Sequence, residues 1–220
     1  KRGLAMTPVK FGISFTASFY NQAGAFVLIY RDGTVQVDHG GTEMGQGLNT
    51  KVAQVVADEF QVDLDRIRIT ATTTAKVPNT SATAASSGSD LNGMAAANAA
   101  QQIRARLVQF AVEQYGVAKE EVFFEPNTVR VGDRLIPFPE FIKSAYGARV
   151  QLSAGGFYKT PKIHWSRSEG WGRPFYYFAY GASVSEVSID TLTGEYQVDR
   201  TDILHDVGKS LNPALDLGQV

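Results

Sequence analysis

Two short stretches concentrate the residue types that could do chemistry. Residues 39–50 read HGGTEMGQGLNT, with glycines at 40, 41, 45 and 47 and with Glu43 and Gln46 among them. Residues 77–90 read VPNTSATAASSGSD, almost all small or hydroxyl-bearing. Each stretch runs directly into a helical apolar pattern. Glycine costs conformational entropy on folding, so several in one turn serve a tight backbone path or a close approach. The first four N–H groups of a helix lack partners within it and carry the positive end of its dipole. A helix start stripped of bulk therefore suits an anion, phosphate above all. In the second stretch Thr83, Ser86, Ser87 and Ser89 add hydroxyl donors, while Ala84, Ala85 and Gly88 leave room. No lysine lies in 77–90, so this is not a Walker-type loop, and dipoles and hydroxyls would hold the anion. Gln46, between Gly45 and Gly47, can donate and accept at one site. A plainer reading stands beside this one. Ser, Thr and Asp ahead of a helix are ordinary N-caps, and a loop of small residues can simply pack against a neighbour.

The remaining polar residues make weaker constellations. His39, His164 and His205 are too far apart to form a metal motif, and each reads as a core or surface residue. Glu43 is either a base or an acceptor that stabilises its loop, and the second reading is preferred. Asp202 and Asp206 flank His205, but no G-x-S-x-G accompanies them. The aromatic run Phe175 to Phe178, with Tyr180, reads as core or as a face between domains.

The elements that must position these loops follow from periodicity. Apolar residues at 48, 52, 55, 56 and 60 predict a helix from Leu48 to about Phe60. An alanine-rich pattern predicts one long helix over roughly 88–115, ended by Gly116. A short helix is expected over Phe138–Tyr146, beginning near Pro137 and Pro139. Strands are expected over 9–20, 24–31, 33–39 and 66–72, in short pieces over 121–136, and over 149–154. Residues 155–176 read as irregular. A last hairpin pairs 183–189 with 195–204, and Arg31–Thr34 reads as a hairpin turn. This mixture predicts an α+β fold, mixed sheets packed with helices. A subdivision near 116–120 is expected within a single region spanning 1–220.

Composition bounds the function. The 220 residues are 44% apolar with a formal net charge of −1, enough for a sizeable core and no field that draws nucleic acid or an anionic membrane. With no cysteine, thiolate metal sites, iron–sulfur clusters and cysteine nucleophiles are excluded from these residues. No apolar run approaches the roughly 20 residues of a membrane span. The opening KRGLAMTPVKFG is not a signal peptide, and both ends are expected to be cut from a longer protein.

Three of these segments also carry a likeness. GGTEMGQGLNTKVAQV, PNTSATAASSGSDLNG and RTDILHDVGKSLNPALDLGQV, in that order, closely resemble the large subunit of the molybdenum hydroxylases of the xanthine dehydrogenase and aldehyde oxidase type. KRGLAMTPVKFGISF, GFYKTP and YGASVSEVSIDTLTG extend the resemblance to nearly the whole chain. It implies a molybdopterin-binding domain and hydroxylation of hypoxanthine and xanthine to urate, with water supplying the oxygen. Aldehydes or other N-heterocycles are the rival substrates, and an inactive scaffold is the non-enzymatic rival. By resemblance, Gly45, Gln46 and Gly47 lie against the pterin. Thr83, Ala84, Ala85, Ser86 and Ser87 hold the phosphate side. The Ala85 backbone stands beside the molybdenum, Ala84 and Ala85 face substrate, and Gln219 makes a further cofactor contact. Animal members continue V-S-A-D where this chain has Ser87-Gly88-Ser89-Asp90. The family's V-G-E-P motif, with its catalytic glutamate, does not occur here, so these residues alone are expected to be inactive. [2Fe–2S] clusters and FAD are expected in other domains or subunits, with a cytoplasmic oligomer as the working form.

Overall fold

The computed structural model describes residues 1–77 and 79–219. The chain runs β1 (Arg2–Ile13), β2 (Gln22–Ile29), β3 (Val35–His39), α1 (Leu48–Phe60), β4 (Ile67–Ile69), α2 (Gly88–Tyr115), β5 (Val122–Glu125), β6 (Thr128–Val131), β7 (Arg134–Pro137), α3 (Phe138–Gly147), β8 (Ser153–Lys159), β9 (His164–Ser166), β10 (Trp171–Arg173), β11 (Tyr177–Ile189), β12 (Tyr196–Asp206) and α4 (Pro213–Gln219). The mixed α+β character is as expected.

The core forms where periodic apolar faces meet. A four-stranded sheet has the order β4-β3-β2-β8. Its inner residues, Val27 and Ile29 on β2 and Val35 and Val37 on β3, are fully buried. α1 covers them with Leu48, Val52, Val56 and Phe60, the stripe expected from its spacing. Because β4 runs parallel to β3, α1 is the crossover between them, and the glycine-rich turn leaves the C-terminal end of β3. That end is where open sheets of this kind commonly bind ligands.

α2 lies across the same sheet. Ala95, Ala96, Ala99 and Ala100 are buried, and this row of small residues lets β8 come very close. A Cβ on Gly156 would sit 2.1 Å from the Ala95 carbonyl oxygen. Gly116, at a φ of 68°, ends the helix in the left-handed conformation its place after the last periodic residue predicted. The antiparallel meander β5-β6-β7 and helix α3 continue the core, with Phe141 packed against Phe110 and edge-on to Phe124.

A second sheet, β1-β11-β12, stands outside this core. It is long and antiparallel, with an irregularity between Glu186 and Val187, and all eleven residues of β12 are exposed. Among the described residues no helix is long and apolar enough to cross a membrane.

Several boundaries differ from expectation. The strand expected over 9–20 is shifted, because β1 begins at Arg2 and pairs along its whole length with β11. It ends at Ile13 because Asn21 takes over the backbone of Phe15, accepting from its N–H and donating to its carbonyl, both at 2.8 Å. The strand expected over 66–72 is confined to Ile67–Ile69. Residues 155–176 are not irregular: β8 extends to Lys159, and β9 and β10 pair as a small hairpin. Gly155 and Gly156 resemble strand breakers in sequence, yet at Gly156 the missing side chain makes room for α2. Helix α4 was not expected.

Candidate functional site

The two helix starts meet. The Thr42 N–H donates to Thr83 Oγ1 at 2.8 Å, joining the loop before α1 to the loop before α2. Between them lies a cavity of about 270 Å³, lined by Met44, Gln46 and Leu48 on one side and by Thr83, Ala84, Ser86, Gly88 and Ser89 on the other.

The first loop is held by its own acidic residue. Glu43 accepts the N–H groups of Gly45 (3.0 Å), Gly47 (2.9 Å) and Asn49 (2.9 Å). The Asn49 bond, with those from Gly47 and Gly45, holds its carboxyl below the usual glutamate value. This carboxylate occupies the position an anion would take at the start of α1, so Glu43 is a loop-stabilising acceptor. Gln46 is likewise turned inward. Its Oε1 accepts from Met44 N–H at 2.6 Å, and its Nε2 donates to the Thr42 carbonyl at 3.0 Å.

The glycines divide by reason. At Gly40, Gly41 and Gly47 a Cβ would collide with Thr80, with Leu48 and Asn92, and with Leu215 respectively. The chain's own packing therefore accounts for these three. Gly45 and Gly47 both have left-handed backbones, at φ of 101° and 76°, that favour glycine, but only at Gly45 does nothing lie within 4 Å of the missing side chain.

The second loop leaves its helix start open. Ser87, the residue before α2, makes no side-chain cap; its hydroxyl donates to the Ala84 carbonyl at 3.0 Å instead. Ala85 and Ser86 both have left-handed backbones, at φ of 55° and 57°. Such consecutive outliers in residues with side chains persist only where the surroundings impose them, and they cluster at binding sites. Ser86 also borders a larger apolar groove of about 440 Å³ on the second sheet, beside Val9, Phe11, Ile13 and Ile203.

Sequence reasoning missed the Asp90–Tyr177 pair, the bond that the core residue His39 makes, and the docking of α4. Asp90, in the first turn of α2, accepts a short hydrogen bond from the Tyr177 hydroxyl. Burial raises the Asp90 carboxyl and, with Asp90 beside it, the Tyr177 phenol. His39 is fully buried; its Nδ1 accepts the Gly41 N–H at 3.1 Å, and burial pushes its pKa down. Helix α4 docks on α1, with Leu215 against Gly47, which brings the segment that ends in Gln219 to the first loop. Gln219 itself is exposed. His164 lies on β9; His205, on β12, lines the groove that Ser86 borders, and no group of three metal-ligating side chains forms among the described residues.

A family model described as the molybdopterin cofactor-binding domain matches residues 1–220. The chain belongs to this family. It is 50% identical to a xanthine dehydrogenase of Oryza sativa subsp. japonica over 220 residues, all of this chain and 15% of that protein. It is 49% identical to a xanthine dehydrogenase/oxidase of Mus musculus over the same length and share. The chain thus spans about a sixth of these relatives. In fold it is similar to quinoline 2-oxidoreductase from Pseudomonas putida 86, with a TM-score of 0.79 at 24% identity over 99% of this chain and 28% of that one. It is also similar to the Cu,Mo-CO dehydrogenase, with a TM-score of 0.81 at 23% identity over 99% of this chain and 28% of that one.

The residues present fit the cofactor that gives this molybdopterin-binding family its name. Three buried side-chain atoms have no partner among the described residues: His39 Nε2, Ser81 Oγ and Asn92 Oδ1. All three belong to the two loops or abut them, since a Cβ on Gly41 would lie 2.7 Å from Asn92 Nδ2. These atoms lie behind the cavity; the fit itself rests on its lining, where the hydroxyls of Thr83, Ser86 and Ser89 and the open start of α2 suit a ligand that carries an anionic group.

Proposed function

We propose that this chain forms one wall of the active centre of a molybdenum hydroxylase that oxidises hypoxanthine and xanthine to urate with oxygen from water. The observation that carries the reading is the meeting of two helix starts across one cavity. One start is closed by Glu43 and the other is open. When bound, the cofactor supplies the metal that accepts two electrons from the substrate carbon.

The chain's own residues bind and orient. Thr83 and Ser86, with the free N–H groups opening α2, would hold the phosphate through dipoles and hydroxyls, while Ser87, whose hydroxyl and N–H are both spent on the Ala84 carbonyl, would support the loop from behind. Gly45, open on its missing side chain, lets the backbone come close to a planar pterin, Gly47 beside it holds the turn under Leu215, and Gln46 and Gln219 add carboxamide contacts. Ala85, with its left-handed backbone, would lie beside the metal, and Ala84 and Ala85 would face substrate. The apolar groove beside Ser86 favours a flat, weakly hydrated molecule over a charged one. The proton-accepting glutamate comes from another part of the protein. The remainder of the large subunit, iron–sulfur and FAD domains and a second copy complete the assembly. The 47–50% identity to proteins named xanthine dehydrogenase supports the choice of substrate.

The test uses the complete protein, expressed with its partner subunits. Molybdenum per chain and xanthine-dependent reduction of an artificial acceptor are measured in wild type, Gln46→Ala and Ser86→Ala. Xanthine turnover in wild type with molybdenum lost in the variants is expected. Molybdenum without xanthine turnover overturns the substrate assignment, and full molybdenum in both variants overturns the assignment of the two loops.

A further inference from the structure

α1 has two working faces. Leu48, Val52, Val56 and Phe60 enter the core. Gly47, Lys51 and Gln54, spaced by four and three, make a separate stripe, and each touches the segment 210–216. Gly47 lies under Leu215, where a Cβ would come within 2.4 Å of Leu215 Cδ1. Lys51 Nζ donates to Asp216 Oδ1 at 3.0 Å. The Gln54 carboxamide is used at both ends: Nε2 donates to the Leu211 carbonyl at 3.2 Å, and Oε1 accepts from Asn212 Nδ2 at 2.8 Å.

The segment is built to be held this way. α4 has seven residues and buries none of them, too short to be stable by itself. Asn212 Oδ1 accepts the Leu215 N–H at 3.0 Å, and the Ser210 hydroxyl donates to Asp216 Oδ2, so both side chains facing α1 are fixed by their own segment. The side chains of Lys51 and Asp216 are 16% and 27% exposed, which screens the pair less than an open surface pair.

We propose that Lys51–Asp216 and Gln54–Asn212 form a latch that seats α4 on α1 and fixes the segment bearing Gln219 against the Gly45–Gly47 turn. Lys51, Gln54, Asn212 and Asp216 are positioning residues. They join two parts of the cofactor wall that lie more than 150 residues apart in sequence. The latch rests on the assignment of Gln219 and the first loop to cofactor binding.

The experiment uses the complete protein with Asp216→Asn, with Lys51→Asp, and with the charge swap Lys51→Asp plus Asp216→Lys. Two quantities are read: the release rate of molybdenum in mild denaturant, and amide hydrogen exchange over residues 43–49. Each single variant is expected to speed both by about two- to fivefold, the scale of one partly exposed ion pair. The swap should restore most of the wild-type rates, which a general loss of folding would not do. Singles that behave as wild type, or a swap no better than the worse single, overturn the latch. If wild type holds no molybdenum, the proposed function has failed, and the exchange rates still decide the latch.

Discussion

At Glu43 a single carboxylate organises the loop on which α1 begins. It accepts three backbone N–H groups, which would otherwise stand unpaired at the mouth of a cavity. Glu43→Ala should raise amide exchange at Gly45, Gly47 and Asn49 by about fivefold, equivalent to roughly 1 kcal/mol for a lost cap. Because the folded carboxyl titrates below its ordinary value of 4.5, its contribution is complete above that pH and fades as pH falls through the folded value. The exchange difference between wild type and variant should therefore close in acid. His39 works in the same direction for a different reason. Its Nδ1 must stay unprotonated to accept from Gly41, and burial holds its pKa under 6.5. Stability from this bond is present above pH 6.5 and lost as pH falls through the folded value. His39→Asn puts a carboxamide oxygen in the acceptor position. It should remove the part of the acid loosening of residues 40–47 that sets in just below pH 6.5, and unchanged acid exchange in that variant would refute the assignment.

Among the elements, α2 is fastened at both flanks. β8 touches it through Gly156, so Gly156→Ala forces helix and strand apart and should cost about 1–3 kcal/mol of overpacking, measured by denaturant unfolding. At its first turn, Tyr177 ties α2 to β11 through Asp90. Tyr177→Phe leaves a half-buried carboxyl without its donor and should cost about 0.5–1.5 kcal/mol, and stability equal to wild type would contradict it. These contacts also explain what could be read beforehand. The bounds of α1 and α2 were legible because each has a long 3.6-residue stripe, and Gly116 marks an end. The convergence of their starts was expected from the resemblance, which sets both loops against one cofactor; the small residues alone show only that each start has room. β1 was misplaced because its ladder is completed by β11, far along the chain, and no local pattern shows that. α4 is too short for periodicity. The inward-turned carboxamide of Gln46 and the partners of Lys51 and Asp90 depend on where loops and helices come to rest, which spacing does not encode.

On the scale of the whole molecule, the described residues hold one well-filled core and one bare sheet. Leu4, Met6, Ile203 and Leu204 are each more than two-thirds exposed, and β1 and β12 are open edges. Faces this apolar belong against other protein. The chain spans 15% of its xanthine dehydrogenase relatives. The 220 residues produced alone should self-associate and bind an apolar dye, and a dye-silent monomer in sedimentation would contradict this. The most direct test concerns the open start of α2. Ser86→Asp, in the complete protein, sets a negative charge where the cofactor's phosphate is proposed to lie, at a left-handed position that aspartate tolerates. Molybdenum per chain should fall by at least about tenfold while circular dichroism stays unchanged, since like charges a few ångströms apart repel strongly. Molybdenum retained at the wild-type level would show that this helix start does not hold the anion.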